Sequence, residues 1–111
     1  MATSKEYFEF IADNLSHIDG VDYRKMMGEY IIYYNEKIIG GIYDDRFLVK
    51  ITPSSKRLMP GAREELPYEG AKSMFLVEEI ENGDFIKQLF EEMYPELPMP
   101  KKKKKKSLRL D

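Results

Sequence analysis

The centre of the chain holds three short runs of strand-forming residues, separated by pairs of polar residues. The separators are Asn35-Glu36 and Asp44-Asp45, and the runs cover residues 29–34, 37–43 and 46–51. Asn and Asp tolerate positive φ, so both pairs suit tight two-residue hairpin turns. Connections this short cannot join parallel strands, which need a long crossover. The centre of the chain therefore predicts an antiparallel three-stranded meander.

Two-residue turns also set the register of the meander, because they place Tyr33 opposite Ile38 and Ile42 opposite Phe47. Side chains alternate between faces along a strand. The face expected to meet the helices carries Ile31, Tyr33, Ile38, Gly40, Ile42, Phe47, Val49 and Ile51. The second face carries Tyr30, Ile32, Tyr34, Ile39, Gly41, Tyr43, Arg46, Leu48 and Lys50. This second face is too apolar to lie wholly in water, so we expect part of it to be covered.

Helical and strand patterns flank the meander. Apolar residues at helical spacing predict a first helix over 4–16, with Thr3 and Glu6 forming a capping box at its start. Thr52-Pro53 is typical of a helix start and predicts a short helix over 53–59. A further strand is predicted over 73–79, and a last helix from Phe85, capped by Asp84.

These elements predict an α+β fold. It comprises an antiparallel sheet, made of the three-strand meander plus at least one further strand, with the N- and C-terminal helices packed on one face. The domain is expected to span residues 1–97. Residues 98–111 are expected to form a proline linker and a flexible lysine-rich tail.

Charge is divided unevenly along the chain. Residues 1–100 hold 11 Lys and Arg against 19 Asp and Glu, whereas residues 101–111 hold 7 basic residues and one acid. An acidic body with a basic arm suits weak, salt-dependent contact with nucleic acid or another anionic surface. The residues expected to make it are Lys101, Lys102, Lys103, Lys104, Lys105, Lys106 and Arg109. Two alternatives stay open: a purely solubilising tail, and a tail that lies against the acidic body.

The sequence offers little material for catalysis. Its single histidine, His17, follows the first predicted helix, and neighbours such as Ser16 and Asp19 cannot converge on one substrate atom as a triad requires. There is no cysteine, which excludes disulfides and thiolate chemistry and fits a cytoplasmic location. No apolar stretch approaches the roughly 20 residues of a membrane span. We therefore expect no membrane span, no catalytic residue and no enzyme.

Two other motifs are expected to be structural rather than to hold a metal or a cofactor. The acidic group Glu78, Glu79, Glu81 and Asp84 lacks the alternating oxygen ligands of a calcium loop, which predicts a solvated acidic corner. Gly40-Gly41 lies inside a strand rather than at a strand-to-helix turn, which argues against a phosphate cradle. It is typical of a bulge or of close packing by a helix or ring.

The second face of the meander is the main candidate surface. Its candidate contact residues are Tyr30, Ile32, Tyr34, Tyr43, Arg46 and Lys50. Tyrosines with cations suit base stacking and phosphate contact. Tyrosine is also enriched at protein interfaces, so a covering helix, a homodimer or another protein partner is the favoured interpretation.

The stretch from residue 23 to 51, YRKMMGEYIIYYNEKIIGGIYDDRFLVKI, resembles the N-terminal domain of the TfoX/Sxy family. The matching residues are Arg24, Met26, Met27, Gly28, Tyr33, Tyr34, Lys37, Phe47 and Lys50. The later segment PYEGAKSMFLVEEIEN is similar to the Pro–Tyr loop and Ser-Met strand of that family. The resemblance covers roughly residues 5–97, as a single-domain member. It implies an α+β domain associated with DNA-uptake competence and transcriptional control, and it brings no catalytic residues.

Together, the residues and the resemblance predict a non-enzymatic regulatory or adaptor domain. It would act through protein contacts, with weak non-specific nucleic-acid binding by the lysine tail. The alternative is a small-molecule-binding protein, or an uncharacterised enzyme, that uses the tyrosine-rich sheet face. A deep pocket enclosing Tyr30, Tyr43 and Arg46 would favour that alternative.

Overall fold

The fold is a single sheet with helices at both ends of the chain, which confirms the predicted α+β class. The computed structural model describes residues 2–99. In chain order the elements are α1 (Lys5–Asn14), β1 (Val21–Met26), β2 (Glu29–Tyr34), β3 (Lys37–Ile42), β4 (Phe47–Val49), α2 (Pro53–Leu58), β5 (Glu64–Glu65), β6 (Met74–Leu76), α3 (Gly83–Met93) and a 3-10 turn (Tyr94–Glu96). The six strands are all antiparallel and lie in the order β1-β2-β3-β4-β6-β5.

The two predicted hairpin turns are confirmed. Asn35 and Glu36 have φ of 49° and 75°, and Asp44 and Asp45 have φ of 52° and 56°. Positive φ at both central residues matches the twist of the flanking strands. The predicted register is confirmed at its two anchor points, since Tyr33 pairs with Ile38 and Ile42 pairs with Phe47.

Strand β1 was not predicted from the sequence. It pairs with β2 through a third two-residue turn, in which Met27 and Gly28 have φ of 52° and 84°. Four of its six residues are exposed, so its sequence VDYRKM shows little apolar alternation. The short strand β5 was missed as well. It has two residues and pairs at the outer side of β6.

The predicted sorting of the two sheet faces is wrong on one side of a β-bulge in β3. Pairing with β2 shifts between Ile32 and Tyr33, where Ile38 and Gly40 have partners and Ile39 has none. One extra residue inverts the alternation of faces along a strand. Residues after the bulge lie as predicted, with Ile42, Phe47 and Val49 buried in the core. Residues before it are inverted, so that Ile31, Tyr33 and Ile38 face away from the helices while Tyr30, Ile32 and Tyr34 face them.

The two glycines beside the bulge allow other groups to approach the sheet closely. A methyl group at Gly40 would lie 2.2 Å from the carbonyl oxygen of Leu48, and one at Gly41 would lie 2.5 Å from the ring of Tyr43. Both predicted reasons for Gly40-Gly41 are therefore confirmed: a bulge lies beside Gly40, and the Tyr43 ring packs closely against Gly41.

The hydrophobic core lies between one face of the sheet and helices α1 and α3, as predicted. Its central members from the helices are Ile11, Leu15, Ile86, Leu89, Phe90 and Met93, and those from the sheet are Ile32, Ile39, Ile42, Phe47 and Val49. The last helix presents an apolar face to the core, with Ile86 fully buried and Phe85 partly buried.

Two helix caps differ from prediction by one or two residues. The side chain that accepts from the first turn of α1 is Ser4 rather than Thr3, and for α3 it is Asn82 rather than Asp84. Thr3 instead hydrogen-bonds the Glu29 carboxylate across the fold, at 2.7 Å. The start of α2 is confirmed, with Thr52 as N-cap and proline in the first turn.

Candidate functional site

Three of the six residues predicted to form a contact face lie under the helices instead. Tyr30 stacks on Phe8 of α1 with ring centroids 4.0 Å apart. Ile32 is fully buried, and Tyr34 packs against Phe90 of α3 at 5.5 Å. Ile32 and Tyr34 belong to the core and Tyr30 packs against it, because the bulge reverses the faces of their strand relative to the prediction.

The other three predicted residues, Tyr43, Arg46 and Lys50, lie on the opposite side of the sheet. We call this side the open face, and it comprises Ile31, Tyr33, Ile38, Tyr43, Leu48 and Lys50 together with the side chains that adjoin them. Ile31, Tyr33 and Ile38 were predicted to meet the helices, so sequence reasoning missed them as surface residues. The exposed fraction of Ile38 is 38%, while the next residue, Ile39, is fully buried.

The loop between β5 and β6 covers one end of the open face. Arg46 holds this loop: its guanidinium lies 2.9 Å from the Glu65 carboxylate and donates to the carbonyl oxygens of Leu66 at 3.1 Å and Pro67 at 3.4 Å. Leu48 is fully buried at this end. The Arg46 side chain therefore has a structural role, because it anchors this loop. The prediction that part of this face is covered is confirmed near β4, where Leu48 lies.

Tyr43 and Lys50 are polar groups in partly desolvated positions on the open face. Burial raises the pKa of Tyr43, with smaller contributions from Tyr68, Glu29 and Tyr33. The Tyr43 and Tyr68 rings lie 6.1 Å apart. Burial lowers the pKa of Lys50, and the positive charge of Lys72 lowers it further. The open face therefore joins aromatic and aliphatic side chains to a pair of neighbouring lysines.

The lysine pair lacks an anionic partner within the structure. Neither Lys50 nor Lys72 has a carboxylate within 4.0 Å anywhere in residues 2–99. Tyr68, the neighbour of Tyr43, is 62% exposed. Lys50 was predicted on this face, whereas Lys72 lies in the PYEGAKS segment, whose position relative to the sheet could not be inferred from the sequence.

Within residues 2–99, Tyr30, Tyr43 and Arg46 do not line a common pocket of the kind that would favour a small-molecule function. Tyr30 and Tyr43 lie on opposite faces of the sheet, so one cavity cannot enclose both with Arg46. A shallow depression of about 320 Å³ does occur at the predicted acidic corner, between Phe10 and residues 78–82. The carboxylates there are exposed, and Asn82 is used as the cap of α3. The part of the chain that the structure describes contains no cluster of acidic or histidine side chains able to hold a metal ion.

His17 has a structural contact. Its Nε2 donates to the carbonyl oxygen of Gly83, at 3.0 Å, and its ring lies close against that glycine. The contact ties the end of the α1 region to the start of α3.

The predicted tail contacts, Lys101 to Lys106 and Arg109, lie outside the described residues. Within the described part of the chain, no helix is long and apolar enough to cross a membrane.

The amino-acid sequence is similar to those of known proteins. The model of the TfoX N-terminal domain matches residues 13–93. The chain is 31% identical over 108 residues to the "uncharacterized 12.7 kDa protein in trpE 5′ region" of Spirochaeta aurantia, covering 96% of this chain and 94% of that protein. No solved structure matches the chain.

Proposed function

Because this chain belongs to the TfoX N-terminal domain family, we propose that it is a non-enzymatic regulatory or adaptor domain that binds another protein through its open face. The observation that carries the proposal is the composition of that face. Ile31, Tyr33, Ile38 and Tyr43 lie on the side of the sheet that the helices leave uncovered. Tyrosine and aliphatic anchors surrounded by polar groups are the usual make-up of the centre of a protein interface.

The charges on this face indicate the chemistry of the partner. Lys50 and Lys72 repel each other, and Lys50 is already partly desolvated. A carboxylate from a partner would relieve this repulsion and form a charge-assisted hydrogen bond. We therefore expect the partner to present an acidic side chain next to an apolar one. An acidic peptide segment or protein surface fits this description.

Binding of a designed peptide probe tests this function. The probe is a peptide that alternates glutamate with leucine, and its matched controls replace glutamate with lysine or leucine with serine. Amide chemical shifts of the protein should move at β2, β3 and β4 with the first peptide and much less with either control. Shifts confined to the acidic corner or to α3, or an absence of shifts, would contradict the proposal.

Two charge reversals sharpen the assignment to the open face. Lys50→Glu should weaken binding of the Glu-Leu peptide by about tenfold, the effect of losing one partly buried charged contact. Lys56→Glu makes the same change at an exposed position of α2, the helix that packs against α3, and should leave binding unchanged. Equal loss in both variants would mean that only net charge matters.

The lysine tail is the second part of the proposal and is independent of the open face. Six consecutive lysines can neutralise about six phosphates, which gives a log–log salt slope near −5 for duplex DNA. A mobility-shift titration at two salt concentrations should show weak binding by the full chain that is lost on removal of residues 101–111. If the oligonucleotide instead shifts open-face amides, and Tyr43→Ser abolishes this, nucleic acid rather than protein is the partner of that face.

The location of the protein is also part of the proposal. The chain contains no cysteine. This composition suits a reducing compartment, and the proposed activity is accordingly cytoplasmic.

A further inference from the structure

The two edges of the sheet are unequal. At one edge β5 has only two residues, a length that offers little for another chain to pair with. At the other edge β1 has six residues. Outside its ladder with β2, no backbone hydrogen bond found in residues 2–99 uses a residue of β1. The outer side of β1 is therefore a long unpaired edge.

The hydrogen-bond phase of β1 defines which groups point outward. The two-residue turn at Met27-Gly28 makes Met26 and Glu29 the bonded pair that closes the hairpin, and alternate residues then bond to β2. Gly20 fits the same phase, because its carbonyl oxygen accepts from the Asn35 amide at 2.9 Å. Asp22 and Arg24 consequently direct their backbone groups toward β2. Val21, Tyr23 and Lys25 direct theirs away from the sheet.

We propose that a second copy of this chain pairs with the β1 edge, antiparallel and around a two-fold axis at Tyr23. In this register Val21 lies opposite the partner's Lys25, and Tyr23 lies opposite its own copy. All outward-facing groups then meet, giving about six backbone hydrogen bonds. The result is one continuous sheet through both copies, a form of strand addition. The inference does not depend on the proposed function, since it uses the edge rather than the open face.

Charge complementarity selects this register. With the axis at Tyr23, Asp22 lies directly opposite Arg24 of the other copy, and symmetry makes the pair twice. Moving the axis by one residue keeps the hydrogen-bond phase but places Asp22 opposite Asp22, or Arg24 opposite Arg24. Both side chains are exposed, and neither forms an ion pair within the described chain. The edge is thus self-complementary in one register only.

The helices do not obstruct this pairing. Phe8 of α1 contacts Tyr23 on β1 at 5.2 Å and Tyr30 on β2 at 4.0 Å. The start of the helix is held at the turn between β3 and β4, where the backbone N–H of Ser4 donates to the Asp45 carboxylate at 2.8 Å. The Lys25 side chain is drawn toward its own sheet, with Nζ 6.0 Å from the Tyr30 ring centre.

A charge exchange tests the register directly, with the mass of the full chain followed by sedimentation up to millimolar concentration. The unsubstituted chain should reach twice 13.1 kDa. Arg24→Asp or Asp22→Arg alone should weaken dimerisation by about tenfold or more, because each turns two attractive contacts into repulsive ones. The two changes combined restore opposite charges and should restore the dimer. Glu64→Arg, on the far edge, is the control that should change nothing.

Amide hydrogen exchange gives a second test, because a change in surface charge without strand pairing would not protect specific β1 amides from exchange. Protection of the Val21, Tyr23 and Lys25 amides should rise with protein concentration, while Asp22 and Arg24 are protected at every concentration. A mass of 13.1 kDa up to millimolar concentration overturns the inference. So does a dimer that the combined exchange fails to restore, or one in which those three amides stay unprotected.

Discussion

The close approach of β3 and β4 at Gly40 predicts that Gly40→Ala strongly destabilises the fold. The added methyl group would lie 2.2 Å from the Leu48 carbonyl oxygen and 2.9 Å from the Val49 Cα. Both are backbone atoms in the middle of the sheet, where Gly40 pairs with Val49, so neither can rotate aside. Strand β3 must move away from β4, or the bulge beside Gly40 must be lost.

The expected loss lies at the upper end of the range for overpacking, about 3 kcal/mol. One kcal/mol corresponds to roughly 4–8 °C in Tm for a domain of this size, so Tm should fall by roughly 12–24 °C. Thermal and urea unfolding followed by circular dichroism measure this change. A loss of this size is a large part of the stability of a small domain.

Two other glycines separate steric overlap from backbone strain. At Gly61 a methyl group would meet nothing within 4 Å, so Gly61→Ala should be neutral or slightly stabilising. Gly70 also has open space but a φ of 88°, so Gly70→Ala should cost about 1–2 kcal/mol through strain alone. If Gly40→Ala unfolds at the same temperature as the unsubstituted chain, the close approach of β3 to β4 is wrong.

Three further predictions concern titrating groups. Burial, and to a smaller extent the charge of Asp22, raise the pKa of Tyr23 from 10.0 to about 12. The unfolded chain therefore loses the Tyr23 proton at lower pH than the folded chain, and the free energy of unfolding should fall as pH rises through this range. Tyr23→Phe should remove this part of the fall in unfolding curves measured at alkaline pH. Hydrogen bonds from Ser54 lower the pKa of Glu96 below 4.5. The stability that this shift contributes should be lost as pH falls through the lowered pKa. Glu96→Gln should therefore make the free energy of unfolding depend less steeply on pH in the acid range. Lys72→Gln should raise the pKa of Lys50, measured by nuclear magnetic resonance titration, while leaving it below its ordinary value because burial is the larger cause. A Lys50 pKa that does not respond would mean that the two lysines do not face each other.

The turns of the meander could be predicted because their cause is local. Asn35 and Asp44 each belong to a pair of residues with positive φ, and the lengths of the connections leave antiparallel pairing as the only solution. Two correct turns, however, did not define the faces between them. Ile39 adds one residue to β3 without altering either turn, and the residues that precede it in the meander consequently lie on the faces opposite to those predicted. Gly40-Gly41 indicated a bulge, but the sequence did not indicate that Ile39 would be the residue with no pairing partner on β2.

The candidate site was predicted in part, for the same reason. Tyr43 and Lys50 follow the bulge and lie on the open face, whereas Tyr30 and Tyr34 precede it and lie in the core. Strand β1 escaped prediction because an edge strand with exposed side chains needs no apolar alternation. The neighbourhood of Lys72 depends on a long loop held by tertiary contacts, for which the sequence has no local signal.

Cysteine labelling of two adjacent residues tests the sorting of the sheet faces most directly. The chain has no cysteine of its own, so Ile38→Cys and Ile39→Cys each give a single reactive site. We predict that Ile38→Cys reacts rapidly with a maleimide in the native protein, because this position is 38% exposed. Ile39→Cys should react only after denaturant is added, because this position is fully buried. Rapid reaction at position 39 with protection at position 38 would mean that β3 alternates without a bulge, and that the open face carries the other set of side chains.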